Sequence, residues 1–556
     1  MGRTSPEPTQ DHVDAGPPVQ SVSLAPVPLD LLHFARGSSP RLALAAAACL
    51  LTFIYLQDAN LEGVEQGRLE VRTVDQATGQ PVAARMHLKN SRGQPVRPAG
   101  AVFWKDHFVF DGSVVLNLPL GTYQFELERG PEYKLQTGYF TLEKGANDTK
   151  TINMVRFVDL AKEGWWSGDL HIHRPLEEIE LHLKAEDLHC APVITWWNNR
   201  NLWQGRPLPA SPLSMCDGNR YYHALAGEDE REGGALLFFQ LPQPLPIAGA
   251  SREYPSSLEF LAQARQHPGV HVDAEKPFWW DLPVWVAAGR IDSLGLANNH
   301  QQRDGMLDNE AWGKRRDRAL FPPPHGNGRW SQFIYYQLLN CGLRIPPSAG
   351  SASGVLPNPV GYNRAYVYCG QELTWDAWWE NLRRGRVFVT NGPLLRTRVH
   401  GPGAEPDGAL PGHVFTADAG QPVELQIELK LSTRDPIEYL EIVQDGQTVH
   451  EVRLDQWAAA GGQLPPVRFE RSGWMLVRAV TSHPKTFRFA STGPYYVEIG
   501  YQPRISRKAA QFFLDWVEER IQRIKLSDAQ QRAAVLAWHE QARTFWQQKV
   551  AQANAE

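Results

Sequence analysis

The sequence predicts a multidomain α/β plus β protein. β-Sandwich domains flank a central α/β segment, and a helical hairpin closes the chain. Three observations carry this. Apolar and polar residues alternate over 66–158 and again over 401–502, the period of half-buried strands. Residues 503–556 place apolar side chains at helical spacing. The segment 159–400 between them concentrates tryptophan, holding 13 of the 19 between residues 160 and 380. At roughly 150 residues per domain, 556 residues imply three to four folding units. Lys+Arg 56 against Asp+Glu 61 gives a net charge of -5. That balance argues against a nucleic-acid partner, which would require a basic excess. Five scattered cysteines without a CxxC exclude a zinc ribbon or a thioredoxin-type site.

The elements follow in order. Residues 1–40 are rich in Pro, Ser, Gln and Asp and read as a disordered tail. Arg41 then precedes an apolar run from Leu42 to Leu56, broken by Thr52. A helix of that length spans roughly 22 Å, short of the ~30 Å hydrocarbon core. Segment 41–57 therefore reads as a signal peptide or a short N-terminal membrane anchor. The bulk of the chain is expected outside the cytoplasm, exported or membrane-anchored. In 66–158, Leu69, Val71 and Thr73, then Ala84, Met86 and Leu88, then Val114, Leu116 and Leu118 alternate as in a sandwich. The phrases from Asp75 to Val82 and from Leu120 to Tyr123 resemble the carboxypeptidase-regulatory-like module. Residues 401–502 alternate again at Val423, Leu425, Ile427 and Leu429, and 503–556 carry two apolar stripes separated by Ser527-Asp528.

The central segment, 159–400, bears the sharpest motif. Gly168-Asp169-Leu170-His171-Ile172-His173 follows Trp165-Trp166-Ser167. On a strand, residues two apart share a face, so His171 and His173 converge and can ligate one metal ion. Asp169 lies on that face and can orient an imidazole.

The run from Trp166 to His173 resembles the first metal motif of the PHP-type metallohydrolases, in particular the CehA/McbA family. The run from Arg384 to Pro393 resembles that family's closing signature. The resemblance implies a PHP-like distorted (β/α)7 barrel over 159–400. It implies divalent ions at the strand ends and hydrolysis of ester, amide/carbamate or phosphoester bonds by a metal-activated water. The other family motifs are depleted. Where Thr-Asp-His-Asn is expected stands Thr195-Trp196-Trp197-Asn198. Gly227-Glu228-Asp229-Glu230 offers Glu228 as a ligand, with Glu230 as the alternative. The last motif, with its Asp and His, is replaced by Gly350-Ser351-Ala352-Ser353-Gly354.

The reduced set is His171, His173, Glu228 and His300, with Glu275 or Asp273 as backup, enough for one divalent ion: zinc foremost, manganese or iron otherwise. His271, Asp273 and Glu275 share one strand face beside Trp279-Trp280-Asp281. Glu275 or Asp273 is the expected general base, and Lys276 or Arg344 the expected anion stabiliser. Asp169, Trp196, Trp197, Asn198, Trp280 and Asp281 are expected around the pocket. Three Trp doublets stand beside these motifs, and in a strand a doublet sends one ring to either face; a fourth, Trp378-Trp379, reads as ordinary helix packing. The expected partner is a small-molecule or glycan substrate. Two other functions fit the sequence: a catalytically degenerate protein binding a carbohydrate or aromatic ligand in a Trp-rich pocket, and a structural cell-envelope protein.

Overall fold

The computed structural model describes residues 65–556. The expected tail and anchor, 1–40 and 41–57, lie outside the described residues. Among the described residues no helix is long and apolar enough to cross a membrane. The architecture is sheet-rich α/β, with several sheets and few helices.

Two sheets face each other in a sandwich-like N-terminal unit. In one, Gln66–Asp75 is the middle strand, antiparallel to Ser113–Pro119 and parallel to Asn147–Met154. The other has five strands in the order Val102–Trp104, His107–Phe110, Ala84–Asn90, Gly121–Glu128 and Gln136–Leu142. Alternation decides which side chains meet between them: Leu69, Val71, Met86, Leu88, Leu116 and Leu127 are buried. Each such side chain stabilises the unit by roughly 1.5–3 kcal/mol.

Seven strands then form a ring. They are Trp165–Gly168, Cys190–Trp197, Arg220–Arg231, Gly234–Phe239, His271–Ala274, Ser293–Ala297 and Pro347–Ala349. Neighbours run parallel, except that Gly234–Phe239 is antiparallel to both of its partners. The ring closes where Leu170 N donates to Ala349 O (3.0 Å) and Ile172 bridges Ser353 in parallel. Helices Ile179–Ala185, Ser257–Ala264, Leu282–Ala287 and Gly326–Asn340 lie in the connections. Gly234–Phe239 is buried along its whole length, which is why it reads as an unbroken run of small and apolar residues.

Arg364–Tyr368 pairs antiparallel with Trp165–Gly168 and continues the sheet outward to Val387–Thr390 and Phe489–Thr492. A C-terminal sheet follows through Gly473–Thr481 and Ile437–Gln444. It is faced by Leu394–His400, Val423–Ser432 and Gln463–Phe469. Leu394–His400, although it falls within 159–400, thus hydrogen-bonds into the C-terminal sheets. The terminal helices Arg507–Arg523 and Ala529–Ala551 pack on Leu282–Ala287, where Trp546 Nε1 donates to Pro283 O at 2.9 Å.

Candidate metal centre

His171 and His173 lie just beyond the end of strand Trp165–Gly168, and Glu228 lies in the C-terminal half of the long strand Arg220–Arg231, two strands along the ring. Three of their atoms converge. His171 Nε2 is 3.0 Å from His173 Nε2 and 3.4 Å from Glu228 Oε2, and His173 Nε2 is 3.2 Å from the same oxygen. His171 is 3% exposed and Glu228 2%, and Glu228 Oε2 is buried without a hydrogen-bond donor.

These edges make a triangle of circumradius about 1.9 Å. A point about 2.05 Å from all three atoms then lies roughly 0.9 Å out of their plane, close to three corners of a tetrahedral zinc site. The donor set, two imidazoles and one carboxylate, is that of a three-ligand centre with a fourth position left over.

Glu275 sets the orientation of His171. Its Oε1 is 3.3 Å from His171 Nδ1, so Nδ1–H donates to it and Nε2 faces Glu228. The same carboxylate accepts from Asn299 Nδ2 at 2.8 Å, from Trp279 Nε1 at 2.9 Å and from Lys276 Nζ at 2.6 Å. Burial pushes Glu275 up, but the Lys276 ammonium and the His171 hydrogen bond outweigh it and hold the carboxyl at about 2. Burial likewise pushes His171 down, yet Glu228 and Glu275 raise it to about 10. Glu228 is held below the usual carboxylate range, since His171 and His173 outweigh its burial.

Several expectations are corrected by these contacts. Glu275 is not placed as a general base: its oxygens are saturated by four donors. Asp273, the other expected base, points into the ring, where Ser293 Oγ (2.5 Å) and Ser348 Oγ both donate to its Oδ2. Burial, with Glu275 nearby, raises it to about 7. Lys276 is paired with Glu275 and stands 4.6 Å from the Trp279 ring, and Arg344 pairs with Glu498 at the surface. Neither ammonium nor guanidinium is free for an oxyanion.

His300 is not among the converging donors. Its Nδ1 donates to Leu307 O (3.1 Å) and Asn309 O (2.9 Å), and its ring lies 5.2 Å from Phe278. Burial lowers it to about 3. Asp169 does not touch an imidazole either. Its Oδ1 accepts the backbone N–H groups of His171 and Ser351 at 3.0 Å, and its Oδ2 that of Gly361 at 2.7 Å. It pins the histidine motif to the loop 350–361. That loop sits so close that a Cβ on Gly350 would fall 2.5 Å from His171 Cβ.

The Trp196-Trp197 doublet divides as strand geometry demands. Trp196 is core, stacked 5.9 Å from Phe238, with Gly227 leaving room for its ring. Trp197, half-buried, stands 5.0 Å from the His173 ring and walls the site. Asn198 turns the strand end in a left-handed conformation (φ 50) and accepts Glu230 N at 2.9 Å. Trp280 and Asp281 lie outside the site. Trp280 meets Trp516 at 6.5 Å, and Asp281 accepts from Arg520 Nε at 2.7 Å on the terminal helices. Trp279, not Trp280, reaches the centre, through Glu275.

Glu230 shares the face of Glu228 and is half-buried. Burial and the Glu228 charge raise it to about 7.

A second buried group could also hold a metal ion: His87, Asp106 and His107. Asp106 accepts from His107 Nδ1 at 2.8 Å and from His87 Nδ1 at 3.1 Å, while the Arg85 guanidinium donates to the far nitrogen of His87. That cation disfavours a second positive charge there, so the first group is the better centre.

No family model matches the chain, and no curated protein matches it. A solved structure described as "The Bacillus anthracis TIE protein" shares 20% identity over 20% of this chain and 19% of that chain, with a TM-score of 0.14. So short a likeness carries no argument about fold or function.

Proposed function

We propose that the chain is a mononuclear metal-dependent hydrolase of an ester, amide/carbamate or phosphoester bond, built on a PHP-like central barrel. The observation that carries the reading is the convergence of His171 Nε2, His173 Nε2 and Glu228 Oε2 on a point at metal-ligand distance from each. The resemblance of Trp166–His173 and Arg384–Pro393 to the CehA/McbA family supports it. So does a ring of seven strands, the number such a barrel has.

A divalent ion at this centre, zinc foremost, would supply Lewis-acid polarisation and a bound water acidic enough to ionise near neutrality. The chain's own groups do the rest. Glu275 holds His171 in the Nδ1–H tautomer, leaving Nε2 as the ligand nitrogen. Asp169 fixes the backbone from which both histidines project. Glu230, on the Glu228 face at the rim, is the carboxylate placed to take and return a proton. Trp197 covers His173 and excludes water from one side. The sandwich-like N-terminal unit serves as a spacer, and segment 41–57 carries the chain out of the cytoplasm.

The test is hydrolysis of nitrophenyl carboxylic, carbamoyl and phosphoric esters by the full chain, with zinc and after chelation. Zinc-dependent turnover, lost in Glu230→Gln with the metal retained, is expected. A second reading, a ligand-binding protein without turnover, is favoured by aromatic bulk at Trp197 against His173. It predicts bound metal and no hydrolysis of any ester.

A further inference from the structure

A polar cavity lies beside the start of strand Trp165–Gly168. Tyr368 lines it and pairs across the sheet with Trp165, six residues before His171. At about 3.3 Å per residue the cavity is therefore roughly 20 Å from the His171 centre. Its volume is about 650 Å³, within the roughly 300–1,000 Å³ of small-molecule sites.

Five arginines line this cavity: Arg344, Arg383, Arg384, Arg386 and Arg398. The local sequence gathers three of them. Helix Trp375–Arg383 ends at Arg383, Gly385 turns the chain with φ 75, and Arg386 leads into strand Val387–Thr390. A facing loop closes on this turn. A Cβ on Gly412 would stand 1.9 Å from the Arg384 carbonyl oxygen, so glycine is required for His413 to reach the cavity wall.

Not all of this charge is balanced. Arg344 pairs with Glu498, Arg384 with Glu380, and Arg398 with Asp407 at 3.3 Å. Arg383 donates to Gly269 O at 2.6 Å and Arg386 to Asn381 Oδ1 at 3.1 Å, both neutral acceptors. No carboxylate among the described residues forms an ion pair with Arg383 or Arg386. Glu405 is the remaining acid in the wall. Two half-buried guanidiniums thus stand without a directly paired carboxylate on either side of one tight turn.

We propose that this cavity binds a small organic phosphate, with Arg383 and Arg386 as the groups that grip the phosphoryl oxygens. Arginine presents planar paired donors that match phosphate oxygens two at a time. The cavity exceeds what one phosphate ion fills, leaving room for the esterified part between Tyr368 and Tyr496. A soluble phosphate ester and a phospholipid headgroup offer the same chemistry. The inference does not depend on the hydrolase reading, since no residue of the metal centre lines this cavity.

The test is calorimetric titration of the full chain with glycerol 3-phosphate, with glycerol as the control. Cosedimentation with phosphatidylcholine vesicles, with and without phosphatidic acid, forms the second arm. Salt-sensitive binding of glycerol 3-phosphate but not glycerol is expected. Arg383→Gln and Arg386→Gln should each weaken it about tenfold or more. Should a glutamine variant melt early, Arg386→Lys keeps the charge without the fork and should still bind several-fold more weakly. Binding only to phosphatidic-acid vesicles, lost in the same variants, identifies a lipid headgroup as the source. The proposal is overturned if neither probe binds, or if the arginine variants bind as the native chain does.

Discussion

Glu275→Gln tests the logic of the metal centre most fully. The substitution keeps the shape of the side chain and removes its charge. In the native chain that charge receives Lys276, Trp279, Asn299 and the His171 Nδ1–H. Glutamine offers one acceptor oxygen and two donors, so at least one native donor faces an NH₂ group. The Lys276 ammonium, 4% exposed, loses its counter-ion in the interior. Breaking a buried pair in this way costs about 3–5 kcal/mol. The unit Gln66–Glu556, melting cooperatively at about 2.1 cal/mol/K per residue, gains about 1 kcal/mol/K, so its Tm should fall by about 3–5 °C. Because His171 also loses the acceptor that sets its tautomer, zinc affinity should fall by roughly 10–100-fold. Scanning calorimetry on zinc-free protein measures the first effect, and competition with a chromophoric chelator the second. Adding Lys276→Met removes the orphaned ammonium and should restore most of the Tm while leaving zinc affinity low. A single variant that melts and binds zinc as the native chain does would refute the role given to Glu275.

Other outcomes follow from the same contacts. His171 is held protonated up to about 10, so zinc binding at pH 7 must displace its proton. Calorimetry in buffers of different ionisation heat should show about one proton released per ion, and none would contradict the pairing. Gly350→Ala places a methyl group 2.5 Å from His171 Cβ, so it should cost about 1–3 kcal/mol in denaturant unfolding and lower zinc affinity. Asp281 is held below its usual value because Arg520 and His539 outweigh its burial. A depressed carboxyl stabilises the fold fully above its unfolded pKa of about 3.9 and loses that stabilisation as pH falls from there through its lower folded pKa. The urea midpoint should therefore drop on acidification, and less so in Asp281→Asn. Trp197→Ala opens one wall of the site and should speed zinc release to a chelator, read by stopped flow.

Much of the central site was legible because strand periodicity is local. The residue-by-two spacing of His171 and His173, and of Glu228 and Glu230, decides which side chains share a face. The split of Trp196 from Trp197 follows from the same rule. Partners supplied from far along the chain were not legible. Asp281 directly follows the acidic strand and Trp280, but its carboxylate is taken by Arg520, 239 residues away. His300 ends a buried strand, as a ligand would, yet the carbonyls of Leu307 and Asn309 claim its Nδ1. Asp169 sits where an imidazole-orienting acid belongs, but the close approach of Gly350 and Gly361 brings backbone amides to it first. Trp279 carried a usable signal, its spacing of four residues from Glu275. The sheet-rich α/β character was readable from periodicity. The seam where Leu394–His400 crosses into the C-terminal sheets was not, because nothing in a strand's own sequence names its partner.

The most direct test of the central claim is anomalous diffraction at the zinc edge from crystals of the zinc-loaded chain. The account predicts one peak at full occupancy within about 2.0–2.2 Å of His171 Nε2, His173 Nε2 and Glu228 Oε2. A peak at His87, Asp106 and His107 alone, or no peak at all, would contradict it.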